Sequence, residues 1–344
     1  MLVSKQDFAR LLASVAKAVP TRNTIPILAT VRLVAASGRL TATATDLDVE
    51  ITGSIESEGD FSACIDAKLL AGIVAKVAGD AIEIDAGEGG ATLKAGRSKF
   101  KLETLPVEDY PSLDHGKFDA EFEADLAALL GAVSFAMSQE QNRHYLCGVF
   151  LQPEAVTATD GHRLATRKLD KLGKFKPVIV PRNLVPMLPA GKAVVRLSSG
   201  KIQIEHATST ITSRLVDGTF PDYERVIPAN NNKIATVDAD ALRQAAGRVA
   251  LISNERGKGV KLVVNNDGIG LWARGSGEAE DSVEATYEGE QVEVGMNAQY
   301  LADILTAMPD GATYVAINDG GSPVLFTSPA DASLRIVGMP MRVW

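Results

Sequence analysis

The chain has 344 residues, enough for two or three domains, and a formal net charge of -8. That charge excludes a protein coated in nucleic acid by bulk attraction, although an acidic shell can still hold a local basic surface. Composition is that of a globular protein, and no apolar run approaches the ~18–20 residues that span a bilayer, so no membrane partner is expected.

The N-terminus, MLVSKQDFARLL, lacks the charged region, apolar core and cleavage site of a signal peptide, and a cytoplasmic location is expected. The segment DFARLLASVAKAV places Phe8, Leu11, Leu12, Val15 and Val19 on one stripe of an amphipathic helix. Alternating residues in RLTATATDLDVEITGSI read as strands. IDAKLLAGIVAKV reads as a second helix with Asp66 as its N-cap. AGEGGATL reads as a turn, and LPVEDYPSL closes this stretch.

The same order then returns. DLAALLGAVSFAM sets Leu126, Leu129, Leu130, Val133 and Met137 at helical spacing. TATD at 43–46 recurs at 157–160. VPRNLVPML reads as the second helix of this copy, with Pro181 in its first turn, and GTFPDYERVIP ends it. A third copy follows, with Leu242, Ala245, Ala246 and Val249 in DALRQAAGRVALI, a turn in NNDGIGLW, Asn297 capping MNAQYLADILTAM, and VGMPMRVW at the end. LDHGKFDAE and PANNNKIAT read as linkers. The repeat is about 115 residues, long enough to bury a core of its own. The expected fold is α+β, three tandem copies of a domain with two helices and antiparallel sheets, at 1–117, 118–232 and 233–344. Copies of that size suggest a ring or arc rather than a solenoid.

The chemistry-bearing residues are sparse. Cys64 and Cys147 match no metal or redox spacing and read as buried thiols. His115, His144, His162 and His206 are scattered, so neither a metal nor a cofactor is expected. In TATDGHRLA, Asp160 and His162 point to one face of an extended segment, and a hydrolase using them is a remote alternative. It has no G-x-S-x-G nucleophile to serve. Because TATD recurs without the histidine, Asp46 and Asp160 read as turn caps, and no catalytic residue is assigned.

Together these segments resemble the bacterial DNA sliding clamps, the β subunits of DNA polymerase III. RNTIPIL, TATDLDVEI, GRSKFKLETLP and YPSL look like the family's first domain. RHYLCGV, TATDGHRLA and LVDGTFPDYERVIP look like its second, and ISNERGKGVKL, MNAQYLADIL and MPMRV like its third. The resemblance implies a head-to-tail homodimer with pseudo-six-fold symmetry, a ring around duplex DNA with helices lining the hole and sheets on the rim. It implies a non-catalytic processivity factor of the polymerase holoenzyme. Implied partners are double-stranded DNA without sequence preference, the polymerase III α subunit, the clamp loader, and repair and translesion polymerases docking through short peptide motifs.

Residue by residue, the resemblance implies a peptide pocket between the second and third domains. Arg143, Leu146, Thr159, Gly161, His162, Arg163, Leu164, Pro221, Arg225 and Val226 match it on one side. Asn297, Tyr300, Val337, Met339, Pro340, Met341 and Arg342 match on the other. Apolar Leu, Val, Met and Pro suit aliphatic or aromatic anchors, with polar groups at the edges to orient a peptide. Sliding needs loose attraction to phosphates, and Arg10, Arg22, Lys68, Tyr145, Arg182 and Arg248 are the expected DNA-facing residues. Lys5, Lys17, Arg243, Arg256 and Lys258 add to that charge, although charge alone reads as ordinary solvated helix faces.

The dimer seam is expected where a basic edge strand with Arg97 and Lys99 meets an acidic one with Glu278, Glu280, Asp281 and Glu284. Leu251 and Ile252 are expected against Phe100 and Leu102. Three positions depart from the family pattern. His144 stands where tyrosine is common, Gly338 stands where a branched residue is usual and should loosen a pocket wall, and Trp344 follows the usual end. They motivate an alternative, a clamp-like paralogue with altered partner choice.

Overall fold

The computed structural model describes residues 1–22, 24–87, 89–113, 116–253 and 259–343. They form two compact units by internal contact, Met1–Ala127 with Pro186–Leu215, and Ala128–Val185 with Val216–Trp344. Each unit holds one long antiparallel sheet and one four-stranded sheet.

In the first unit the long sheet has eight strands, ordered Phe61–Asp66, Thr30–Ala36, Arg39–Thr45, Val49–Glu56, Ser209–Arg214, Lys201–His206, Ala193–Leu197 and Ala120–Ala124. Two different repeats therefore share one sheet, joined where Ile51 pairs with Ile211. The second unit does the same with nine strands, joined where Leu164 pairs with Val337. Joining the sheets edge to edge satisfies backbone groups that free edges would expose. A four-stranded sheet in the first unit ends on the strand Ser98–Leu102, and its counterpart in the second ends on Glu278–Val283.

Among the described residues, five α-helices carry the apolar stripes: α1 (Lys5–Val15), α2 (Ala67–Lys76), α3 (Leu126–Ser134), α4 (Ala239–Ala250) and α5 (Ala298–Ala307). Phe8, Leu11, Leu12 and Val15 of α1 are buried, as are Leu242, Ala245, Ala246 and Val249 of α4. Asp66 accepts from the Leu69 N–H at 2.7 Å, and Asn297 from those of Gln299 and Tyr300 at 2.9 and 3.2 Å. Both expected caps thus form. The helix expected over VPRNLVPML does not. Pro181 ends the strand Val178–Pro181, a turn follows, and only a 3-10 turn forms at Val185–Met187. Pro186 offers no N–H and Pro189 follows three residues later, which leaves no run for an α-helix. Val19 and Met137, expected on helical stripes, lie beyond the ends of α1 and α3.

Candidate functional site

TATDGHRLA forms a hairpin turn between the strands Ala155–Thr159 and Arg163–Lys168. The Thr159 hydroxyl donates to the Arg163 carbonyl at 2.7 Å and accepts from the Gly161 N–H at 3.1 Å. One Asp160 carboxylate oxygen accepts from the backbone N–H groups of His162 and Arg163, both at 2.9 Å. The first repeat builds the same turn. Thr45 donates to the Val49 carbonyl and accepts from Leu47, while Asp46 accepts from Asp48 and Val49. Position Leu47 has φ +78° and Gly161 has φ +89°. The shared motif is thus a turn, and the second copy differs in what the turn presents.

It presents Arg163 and His162. The Arg163 guanidinium is only 10% exposed and pairs with Asp160 at 3.1 Å and with Asp303 of α5. It lies over the ring of Tyr300 at 4.7 Å and that of Phe135 at 5.4 Å. The His162 ring stacks on Tyr300, with centroids 5.7 Å apart and planes 19° apart. Burial holds the Tyr300 phenol above its ordinary pKa, and the Asp160 carboxylate adds to the shift. The His162 carbonyl accepts the Met339 N–H at 2.8 Å, and Met341 donates to Gly295 at 2.8 Å, so the C-terminal segment is pinned beside the stack. Asp160 is committed to the turn and to Arg163, so the Asp160–His162 pair has no free carboxylate oxygen directed at an imidazole proton.

Beneath the stack, Leu146, Leu164 and Val337 are buried with Ile179, Phe220 and Tyr223 in one apolar cluster. Val226 and Met339 stay 40% and 37% exposed, and Pro221 is exposed. Of the expected pocket residues, His162, Arg163, Tyr300 and Met339 are joined by these contacts and Leu146, Leu164 and Val337 by the apolar cluster, with three corrections of role. Thr159 and Asn297 spend their side chains on the turn and the helix cap. Leu146, Leu164 and Val337 are core beneath the surface rather than free wall. Gly338 loosens nothing, because a Cβ there would stand 2.5 Å from the Met296 methyl, which already fills the space. Arg143 is held by Glu140 at 2.7 Å beside Gly161, where a Cβ would come 2.9 Å from the guanidinium. Arg225 is exposed, paired with Asp222 at 2.7 Å, and Pro340, Met341 and Arg342 run along the pinned tail. Phe135, Asp303 and Met296 escaped the sequence reading.

The expected DNA-facing cations Arg10, Arg22, Lys68, Arg182 and Arg248 are all exposed, and Tyr145 is half-buried against the apolar cluster. Two of them are partly neutralised: Arg10 pairs with Asp7 at 3.3 Å and Arg248 with Asp281 at 2.6 Å. Arg243 pairs with Asp240. Arg256, Lys258, His115 and Trp344 lie outside the described residues. His144 contacts the ring edge of Tyr145 and sits 3.1 Å from the Asp217 carbonyl.

At the expected seam, Ser98–Leu102 is an edge strand, as is Glu278–Val283. Arg97 and Lys99 are exposed, as are Glu278, Glu280 and Glu284. Leu102 is a correction, because it is buried in its own protomer. Asp281 is a second one, since it faces Arg248 on the same chain rather than outward with its neighbours. Leu251 is 83% exposed and Ile252 half-buried. The sequence did not show that α2 and the edge strand enclose a groove of about 380 Å³, lined by Leu69, Gly72, Ile73, Phe100 and also Lys68.

Long antiparallel sheets fused from tandem repeats, with helices carrying the apolar stripes, define a DNA clamp fold. Family models for the N-terminal, central and C-terminal domains of the DNA polymerase III β subunit match residues 1–114, 123–222 and 224–342. The beta sliding clamp of Caulobacter vibrioides is 34% identical over all of both chains, and that of Escherichia coli 33% over 99% of each. A crystal structure of a DnaN sliding clamp from Bartonella birtlesii bound to griselimycin matches with a TM-score of 0.95 at 34% identity. That match covers 100% of this chain and 99% of the other. The chain belongs to the DNA polymerase III β subunit family, the β sliding clamps, a family of ring-forming homodimers. It is a DNA sliding clamp, the processivity factor that tethers the polymerase.

Proposed function

We propose that the Arg163–His162–Tyr300 stack, with Met339 and Val226 beside it, is the docking pocket for short peptides of the replicative polymerase α subunit, the clamp loader and repair or translesion polymerases. The observation that carries this reading is the buried Arg163, held by two carboxylates and two rings, with the exposed Met339 tied by its N–H to the neighbouring His162 carbonyl. Such a site is rigid where orientation is needed and apolar where an anchor enters. Met339 tolerates anchors of different shape. The clamp does no covalent chemistry in this reading, and it works in the cytoplasm, where bacterial DNA is. Domain boundaries at 1–117, 118–232 and 233–344 belong to the same reading, with the pocket between the second and third.

For the dimer, the supporting observation is complementarity. An 83% exposed leucine on one unit and a groove of about 380 Å³ on the other suit a head-to-tail contact between copies. Burying such a leucine returns roughly 1.5–3 kcal/mol. Arg97 and Lys99 facing Glu278, Glu280 and Glu284 set its register. The exposed cations Arg10, Arg22, Lys68, Arg182 and Arg248 attract phosphates without reading bases.

The test is a fluorescence-anisotropy titration with a labelled peptide carrying a glutamine, a leucine and a terminal aromatic. Saturable binding that weakens in a His162→Ala, Arg163→Ala variant supports the pocket. Binding that is unchanged in the variant removes it.

A further inference from the structure

A concavity of about 1000 Å³ opens on the same unit, and none of Arg163, His162, Tyr300 and Met339 lines it. The pocket and this concavity share one sheet face. Leu164 and Val337 underlie the pocket, whereas Thr166, Lys168 and Arg335, alternate positions on the same two strands, line the cleft. From Arg163 to Lys168 the strand advances about 17 Å, and Tyr223 and Ile227 belong both to the cleft wall and to the apolar cluster of Leu164 and Val337, so the two sites adjoin without sharing the Arg163 stack.

Its lining is basic in a chain of net charge -8. Lys168, Lys171, Lys174 and Arg335 face it, against Glu154 and Glu224. Lys171 and Glu154 neutralise each other at 3.4 Å. Lys168, Lys174 and Arg335 have no ion-pair partner among the described residues, so three cations face one free carboxylate. Phe175, Tyr223, Ile227 and Pro228 supply apolar wall between them. Tyr223 is fixed by donating its hydroxyl to the Gln152 amide oxygen at 2.9 Å.

We infer that this cleft binds an acidic peptide segment carrying an aromatic or aliphatic side chain, contributed by a protein partner of the clamp. Charge complementarity selects the occupant: the free cations meet Asp or Glu, and the apolar wall takes the intervening side chain. The lining carboxylates disfavour a phosphate backbone and can accept peptide N–H groups. The volume lies at the upper end of ligand sites, room enough for several residues.

The experiment uses the full chain and a short fluorescein-labelled peptide in which Asp and Glu flank a single Phe. Anisotropy is expected to show saturable, salt-sensitive binding that a pocket peptide does not displace. The double variant Lys168→Glu, Arg335→Glu should weaken it at least about tenfold, and so should Lys174→Glu, which sits on an exposed loop and does not depend on the sheet. The pocket peptide should bind both variants as it binds the native chain. That arm reports on the pocket independently of the cleft. Absence of saturable binding, an affinity unchanged in both variants, or displacement by the pocket peptide overturns the inference. So does a single-stranded oligonucleotide that outcompetes the acidic peptide and loses its own binding in the same variants.

Discussion

Arg163 shows how much one residue can carry. Its guanidinium is 10% exposed between two carboxylates and two rings. Arg163→Ala leaves Asp160 and Asp303 facing each other's charge without a counterion. The expected loss is about 2–3 kcal/mol of stability, below the ~3–5 of a fully buried pair because Asp303 still meets solvent. A denaturant melt checks this, and an unchanged midpoint would mean that solvent replaces the pair. Gly161→Ala is expected to cost about 1 kcal/mol, since φ is +89° and the new Cβ would press on Arg143. It should also weaken pocket-peptide binding, because Arg143 must move. Much of this site was legible in the sequence: TATDGHRLA announced a turn because TATD recurs with different residues after it. What was not legible came from distant chain. Asp303 and Phe135 reach Arg163 only after α3 and α5 are packed, and no local spacing links position 163 to position 303. The thiols divide likewise. Burial pushes the Cys64 thiol up to about 11, whereas Cys147 is half-buried, contrary to the expectation that both are buried.

At the scale of elements, the helices were readable because their apolar stripes and caps are local. The failure over VPRNLVPML is equally local: a repeat-based alignment outweighed the two prolines that forbid the helix. Sheet fusion was not readable, because strand alternation gives the inward face but not the neighbour across a repeat boundary. The edge strands make the seam testable. Leu251→Asp should give monomers by sedimentation at micromolar concentration with an unchanged protomer melt, because the side chain has little to lose within its own chain. Lys99→Glu with Phe100→Asp should do the same from the other side. A persistent dimer in either case moves the seam elsewhere. Arg248 and Asp281 make a pH-dependent contact between α4 and the acidic edge strand. The Arg248 guanidinium holds the Asp281 carboxyl below its ordinary range. Its contribution to stability is therefore complete above about pH 4–5 and falls away as acid titrates the lowered group. The melting difference between the native chain and Arg248→Met should be flat near neutrality and vanish in acid. A difference that grows in acid would contradict the assignment.

For the whole molecule, the attraction to DNA is modest by construction. The chain carries a net charge of -8, and two of the candidate DNA-facing cations, Arg10 and Arg248, already hold a carboxylate. Counterion release from so few free cations cannot by itself hold a protein on DNA at physiological salt. A sliding clamp does not require it to, since retention comes from closure around the duplex. The most direct measurement is therefore topological. The clamp is loaded by its loader onto a nicked circular plasmid in moderate salt, and retention is followed by gel filtration before and after a single restriction cut. The account predicts clamp co-eluting with the circle and released from the linear product, with Leu251→Asp failing to be retained at all. Equal retention on circular and linear DNA would contradict it, because binding would then reside in contacts rather than in encirclement.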